Sequence, residues 1–149
     1  MNLDGEQLVL DTNILVHLLR GKQAGRVIER LYKVGQRTPR AIISVVTKGG
    51  LKALAHKFEW GASMHEKLDI MLAGLPSVDI AHNSIYHAYA EIDVKSSGLG
   101  IKMGKNDLWI AATTMVVGGV LLTTDADFDH LSSTRLRVER IREEQLKQT

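Results

Sequence analysis

Short apolar runs alternate along the chain with longer stretches in which apolar residues recur at helical spacing. Residues 7–10, 41–43 and 120–122 are the clearest short runs, and each is long enough only for a buried strand. Brief strands are also predicted at 77–80 and 135–141. Strands separated by helices favour an α/β domain with a mainly parallel central sheet.

Helices are predicted between these strands from apolar spacing and from end signals. Ser44 stands in an N-cap position, and Gly35 and Gly98 are placed to end two helices. Residues 107–117 are so uniformly apolar that their helix is expected to be buried on most sides. The predicted helices cover residues 14–19, 23–34, 45–58, 63–72, 82–97 and 107–117.

The length of 149 residues suits one domain, predicted over residues 1–143, followed by a polar tail at 144–149. The final residues, EEQLKQT, are expected to be loose. Hydrophobic residues make up 44% and charged residues 24%, so a disordered chain is not expected. The chain has no cysteine, which excludes disulfides and cysteine-ligated zinc. Its net charge of +2 gives only weak support for a nucleic-acid partner.

Neither a secretory signal nor a membrane span is expected. The N-terminus lacks a basic segment followed by an apolar run. The longest apolar stretch, residues 108–122, is interrupted by two threonines and two glycines. The simplest expectation is a cytoplasmic protein.

Three aspartates lie next to predicted strand ends. Asp11 directly follows the first strand, Asp125 follows the strand at 120–122, and Asp107 opens the helix that leads into that same strand. In open parallel sheets the functional crevice lies beyond the carboxyl ends of the strands. The three side chains are therefore expected at one edge of the sheet.

Clustered carboxylates repel one another and normally need a compensating cation. Hard oxygen ligands favour Mg²⁺ or Mn²⁺, and such an ion polarises phosphate and helps generate hydroxide from water. The chemistry indicated is metal-assisted phosphodiester hydrolysis. Ordinary structural roles stay open for each residue. Asp11 and Asp125 also suit turns after strands, and Asp107 suits the first turn of a helix capped by Asn106.

Four sequence blocks resemble the PIN-domain family and, within it, the VapC ribonuclease toxins. LVLDTNILVHLL at 8–19 is similar to the family's opening strand and first aspartate. The later blocks are ISVVTKGGLKAL at 43–54, NDLWIAA at 106–112 and LLTTDADFDHL at 121–131. Their order and spacing match the family across nearly the whole chain.

The resemblance implies a PIN fold, a three-layer α/β/α arrangement with helices on both sides of the sheet. It also implies an endoribonuclease dependent on Mg²⁺ or Mn²⁺, acting on tRNA, rRNA or mRNA. A homodimer and a cognate antitoxin protein are further implications. The antitoxin is expected to lay a helix or tail across the pocket, with an arginine against the carboxylates.

Carried over by motif, the metal-binding carboxylates are Asp11, Asp107 and Asp125. Asp127 is close enough in sequence to be an auxiliary acid, although a surface turn residue is the preferred interpretation. Four residues are similar to the polar residues that line the family's pocket: Asn13, Ser44, Thr47 and Thr124.

Gly50 is a departure from the family's pattern. The second block normally carries a glutamate in a T-x-x-E arrangement, but here the run is Thr47-Lys48-Gly49-Gly50. Glycine supplies no ligand, and each glycine inside a helix costs about 1 kcal/mol relative to alanine. The hypothesis is that Gly50 replaces an ancestral glutamate, either as an inactivating change for production or by natural degeneration.

Three alternatives to a nuclease toxin stay open. A non-catalytic PIN-like module that binds RNA or protein is favoured by Gly50. A phosphatase with Asp11 as its nucleophile ranks low, because Asn13 stands where a second aspartate is usual. A DNA-directed nuclease also ranks low, since such proteins generally carry extra regions.

Basic residues gather near the end of the first predicted helix, at Arg20, Lys22 and Arg26, and again near the C-terminus. Solvated surface is the default interpretation of both groups. If RNA binds, the first group is the better candidate for phosphate contacts. The second group consists of Arg135, Arg137, Arg140 and Arg142.

Overall fold

The computed structural model describes residues 2–131 and 134–148, in which strands and helices alternate as the sequence predicts. The elements are β1 (Leu8–Leu10), α1 (Thr12–Arg20), α2 (Gln23–Tyr32), β2 (Ile43–Ser44), α3 (Val45–Lys57), α4 (Ala62–Gly74), β3 (Ser77–Val78), α5 (Asn83–Gly98), α6 (Lys105–Val117), β4 (Val120–Thr123), a 3₁₀ helix (Ala126–Leu131), β5 (Arg137–Arg140) and α7 (Glu143–Leu146).

The strands pair in parallel throughout the described residues. β4 lies between β1 and β5, with Leu10 opposite Leu122. β2 pairs with β3, and a parallel bridge between Val9 and Ile42 joins the two groups. The strand order is therefore β3-β2-β1-β4-β5, which confirms the predicted parallel central sheet.

The sheet separates two hydrophobic cores. Leu8 and Leu10 of β1 pack into one core with residues of α1 to α4, whereas Val9 packs into the other with residues of α5 and α6. Successive side chains of a strand point to opposite faces, so a strand covered on both faces is apolar throughout. The predicted three-layer α/β/α arrangement is confirmed.

α2 ends two residues earlier than predicted, and Gly35 does not end it. Lys33 adopts a left-handed conformation with φ of 51°, and its N–H donates to the Glu29 carbonyl. Gly35 instead donates its N–H to the Glu29 side chain at 2.8 Å. The early turn allows Val34 to pack against the first core.

The boundaries of α5 and α6 also differ from the prediction. α5 runs through Gly98 to a C-cap at Leu99, and the chain then turns at Gly100, whose φ is +74°. α6 begins after Gly104, so Asn106 lies inside its first turn and is not the cap. Across the described residues, every helix is too short or too polar to cross a membrane.

The polar C-terminal segment is more ordered than a loose tail. α7 begins at Glu143, and Leu146 within it packs against the first core. The Gln23 side chain donates to the Lys147 carbonyl at 3.2 Å. The expectation of a loose end is wrong for these residues because Leu146 gives the segment an apolar anchor. Thr149 lies outside the described residues, and the domain limit at residue 143 stays a prediction.

Core packing predicts a large difference between two isoleucines on helices. Ile92 of α5 is 1% exposed and Ile70 of α4 is 67% exposed. We expect Ile92→Ala to lower the free energy of unfolding by about 2–5 kcal/mol, because it leaves a cavity. The matched Ile70→Ala should stay within about 0.5 kcal/mol of the parent. Urea unfolding of both variants measures this, and equal losses would contradict the packing described.

Candidate metal centre

Asp11 is a buried carboxylate at the carboxyl end of β1. It is 4% exposed and caps α1, with its Oδ1 accepting from the Thr12 N–H at 2.8 Å. Its Oδ2 accepts from the Thr123 hydroxyl at 2.7 Å. Two charge-assisted hydrogen bonds offset part of the cost of burying this group.

Thr123 connects Asp11 to Asp125. Its hydroxyl donates its one hydrogen to Asp11 and accepts the Asp125 N–H at 2.9 Å. Sequence analysis singled out Thr124 and missed Thr123. The alternation of side chains along β4 could have indicated the position of Thr123. Val9 is paired with Leu121, so two residues further along each strand Asp11 and Thr123 share a sheet face.

Three carboxylates form an acidic cluster at this edge, consisting of Asp107, Asp125 and Asp127. One oxygen from each lies within 4.8 Å of the others. Asp107 is in the first turn of α6, and Asp125 directly precedes the 3₁₀ helix. Asp11 lies outside this 4.8 Å group, although its charge acts on Asp107.

Asp127 is exposed, as the surface interpretation predicts, and its carboxylate also belongs to the acidic cluster. Its side chain is exposed, but the 3₁₀ helix turns it back towards Asp125. The Asp127 N–H donates to Asp125 Oδ1 at 2.9 Å, which fixes the two residues relative to each other. Spacing alone could not predict this contact because it depends on the local 3₁₀ turn.

The pKa of Asp107 is raised to about 6, chiefly by burial and then by the negative charges of Asp11, Asp125 and Asp127, in that order of importance. Burial also raises the pKa of Asp11, against the lowering effect of its hydrogen bonds from Thr123 and Thr12. Among the described residues, no ion pair involves these four aspartates. The cluster therefore has unbalanced negative charge.

The residues present fit a small divalent cation. Carboxylate oxygens are the ligands that Mg²⁺ and Mn²⁺ prefer. Ligands on opposite sides of an octahedral Mg²⁺ are about 4.2 Å apart, since each bond is about 2.1 Å long. Oxygens within 4.8 Å of one another therefore need to move only slightly to share one ion.

The predicted polar residues have separate structural roles. Asn13 accepts the Thr124 N–H at 3.3 Å and so ties α1 to the segment after β4. Ser44 caps α3 by accepting the Val46 N–H at 3.3 Å, as predicted. The Thr47 hydroxyl is buried and lacks a hydrogen-bond partner among the described residues. The side chains of Asn13 and Ser44 thus contact main-chain N–H groups, whereas that of Thr47 does not.

Gly50 lies in the middle of α3, one turn after Thr47. A Cβ built on Gly50 meets no atom within 4 Å, and the same holds for Gly49. Residues three apart on a helix share a face, so a side chain at position 50 would extend from the Thr47 face. The backbone therefore has room for the glutamate of the family's pattern.

The predicted basic group is separated from the carboxylates. Asp11 directly precedes α1, whereas Arg20 is the last residue of that nine-residue helix and Lys22 follows it. The intervening helix is about 13 Å long, given a rise of about 1.5 Å per residue. Arg26 donates to the Gly21 carbonyl at 3.2 Å, also at this far end.

A family model identifies the family to which this chain belongs. The family model described as PIN domain matches residues 8–133. A search of curated protein sequences found no significant match.

Solved structures with the same fold include toxin–antitoxin complexes. VapBC2 from Rickettsia felis, solved with a DNA fragment from its promoter, is 24% identical with a TM-score of 0.73, covering 89% of this chain and 97% of that one. VapBC-1 from nontypeable Haemophilus influenzae is 22% identical with a TM-score of 0.71, covering 89% and 96%. FitAcB from Neisseria gonorrhoeae is 17% identical with a TM-score of 0.66, covering 89% and 96%.

The raised pKa of Asp107 predicts that Asp107→Asn increases the free energy of unfolding by an amount that depends on pH. A carboxyl whose pKa is raised by folding destabilises the folded state once it ionises. This destabilisation is absent below pH 3.8 and complete above about pH 6. We therefore expect the metal-free variant to be more stable than the parent by about 1 kcal/mol at pH 8, allowing for solvent screening, and equally stable near pH 3.5.

Chemical unfolding in EDTA at both pH values measures this gain. Asp93→Asn, at an exposed position of α5, is the matched control and should show no such pH-dependent difference. A gain from Asp107→Asn that is equal at the two pH values would contradict the electrostatic cause.

The open space at both glycines predicts stabilisation by alanine. Gly49→Ala and Gly50→Ala should each raise the free energy of unfolding by about 1 kcal/mol, because alanine favours the helix and its Cβ meets nothing. Gly25→Ala is the contrasting variant, since its Cβ would lie 2.4 Å from the His17 carbonyl oxygen. Destabilisation by Gly50→Ala would show that the glycine is required by the fold.

Proposed function

The chain belongs to the PIN-domain family, and from that premise we propose that it is a VapC-type toxin. Its proposed activity is endoribonucleolytic hydrolysis of RNA phosphodiester bonds with Mg²⁺ or Mn²⁺. The observation that carries this proposal is the acidic cluster, in which Asp107, Asp125 and Asp127 place oxygens within 4.8 Å of one another. It lies at the carboxyl ends of parallel strands, where α/β sheets bind ligands.

We propose Asp11, Asp107 and Asp125 as the metal-binding carboxylates, with Asp127 added by its position in the cluster. Each Asp11 oxygen accepts one hydrogen bond and keeps a second lone pair. Asp107, Asp125 and Asp127 would hold the ion most directly, since Asp11 lies outside their 4.8 Å group.

The bound ion would supply charge neutralisation at the scissile phosphate and a more acidic water. The protein's own contribution is positional. Thr123 holds Asp11 and the Asp125 main chain together through two hydrogen bonds. The hydrogen bond from the Asp127 N–H to Asp125 fixes the position of Asp127, the exposed member of the cluster. Without a cation the four negative charges would repel RNA.

Partners and location follow from the same proposal. The matched solved structures include VapBC complexes from Rickettsia felis and Salmonella typhimurium, both bound to DNA. We propose that this chain forms a homodimer, is neutralised by a cognate antitoxin and acts on tRNA, rRNA or mRNA in the cytoplasm. An antitoxin arginine paired with the acidic cluster would supply the missing positive charge.

Gly50 supports a second candidate function, a non-catalytic module that binds RNA or protein. The helix carrying it is intact, and its buried residues Leu51 and Ala55 pack in the first core. The missing glutamate therefore removes a possible ligand while the fold persists. In that case the acidic cluster would bind a cation without supporting efficient hydrolysis.

Restoring the glutamate tests the two functions against each other. We expect Gly50→Glu to raise RNA cleavage in Mg²⁺ or Mn²⁺ by about 10- to 100-fold or more, because losses of metal-site residues are of this size. Gly50→Gln matches its shape without the charge and should stay near the parent rate. EDTA and the added change Asp125→Asn should each abolish the gain.

Cleavage of a broad set of labelled RNAs, followed on denaturing gels, measures these rates. If the parent and Gly50→Glu cleave RNA at equal rates and EDTA stops both, the aspartates suffice for cleavage. Gly50 would then no longer support a non-catalytic function. No metal-dependent cleavage by any variant across the set would favour the binding module.

A further inference from the structure

The loop between α5 and α6 lines two pockets, one of which reaches the acidic cluster. That pocket, of about 350 Å³, is lined by Asp127, Asp129, Lys102 and His130. The other, of about 470 Å³, is lined by Tyr89, Lys105 and again Lys102. Because Lys102 lines both, the second pocket adjoins the one that contains Asp127.

Lys102 and Lys105 give this region a positive charge that the acidic cluster lacks. Both side chains are exposed, and neither forms an ion pair with a described residue. Asp93 is the acidic residue that lines the same pocket, so the two lysines leave a net positive charge there. Positive side chains along a groove are what a phosphodiester backbone requires.

Tyr89 adds an aromatic ring whose position is fixed by packing. The ring is half-buried and contacts Trp109 of α6, with a centroid separation of 4.2 Å. Trp109 also meets Tyr86 edge-on at 6.3 Å, so the three rings support one another. A rigid ring at the wall of a basic pocket is a typical stacking platform for an unpaired base.

We propose that the pocket lined by Tyr89, Lys102 and Lys105, the loop groove, binds a single-stranded RNA segment adjacent to the scissile phosphodiester. Lys102 and Lys105 contact its phosphates, and Tyr89 stacks on one unpaired base. The choice of RNA as the ligand rests on the proposed function. The inference assigns RNA contact to the loop groove instead of Arg20, Lys22 and Arg26, which lie at the far end of α1.

Direct binding tests the loop groove apart from catalysis. The probe is a fluorescein-labelled 12-nucleotide single-stranded RNA of 2′-O-methyl residues, followed by anisotropy in Mg²⁺ over a range of salt. We expect the double variant K102A/K105A to weaken binding by at least 10-fold. The slope of log affinity against log salt should also fall by about 1.4, because each phosphate contact contributes about 0.7 for a single strand.

Matched variants show whether charge alone is responsible. K57A/K67A removes two exposed lysines from α3 and α4 and should change affinity less than twofold. Tyr89→Leu should weaken binding about fivefold or more, whereas Tyr89→Phe keeps the ring and should bind like the parent. Thermal melts of each variant confirm that loss of binding is not loss of folding.

Several outcomes would overturn the loop groove. These are absence of RNA binding by the parent at low salt, equal weakening by K57A/K67A, and weakening by R20A/K22A in place of K102A/K105A. The nuclease proposal has its own readout in Gly50→Glu cleavage. If RNA binds in the loop groove but no variant cleaves RNA, the loop groove is supported and the nuclease proposal is rejected. If RNA is cleaved and K102A/K105A does not change the rate, the nuclease proposal is supported and the loop groove is rejected.

Discussion

Parallel pairing between β1 and β4 organises both the hydrophobic cores and the acidic edge of the sheet. With Leu10 opposite Leu122, alternate side chains of the two strands divide between the cores on either face. The same alternation, continued past the strand ends, brings the Thr123 hydroxyl to Asp11. A register slip of one residue would move every one of these side chains to the opposite face. The register therefore determines the packing and the chemistry together.

The sequence predicted the sheet and the approach of Asp11, Asp107 and Asp125, because parallel strands end at a common edge. It failed where a local turn or the exact register decides the outcome. Thr123 was missed because its role follows from which β1 residue it faces. The contact between Asp127 and Asp125 was not predicted because it depends on the local 3₁₀ turn. Lys33 ends α2 in a left-handed conformation that sequence signals assign to glycine.

Gly50 lies at a position that matters for the proposed chemistry but not for the packing of α3. α3 is anchored by an N-cap at Ser44 and by the buried side chains of Leu51 and Ala55. A glycine on another position of that helix lowers helix propensity without removing any core contact. The fold therefore does not require a glycine at this position. Under the proposed function, the glutamate of the family's pattern would act on a ligand and would not be needed for folding.

The pairing of distant segments also has a consequence during protein synthesis. Asp11 and Thr123 are 112 residues apart, so the first carboxylate is translated long before its hydrogen-bond donor. A nascent chain must hold β1 without its β4 neighbour, and nonlocal pairing of this kind is slow to form. No partial product ending before Asp107 contains the acidic cluster. A harmful activity built on this edge would thus appear only after the chain has been synthesised beyond Asp127.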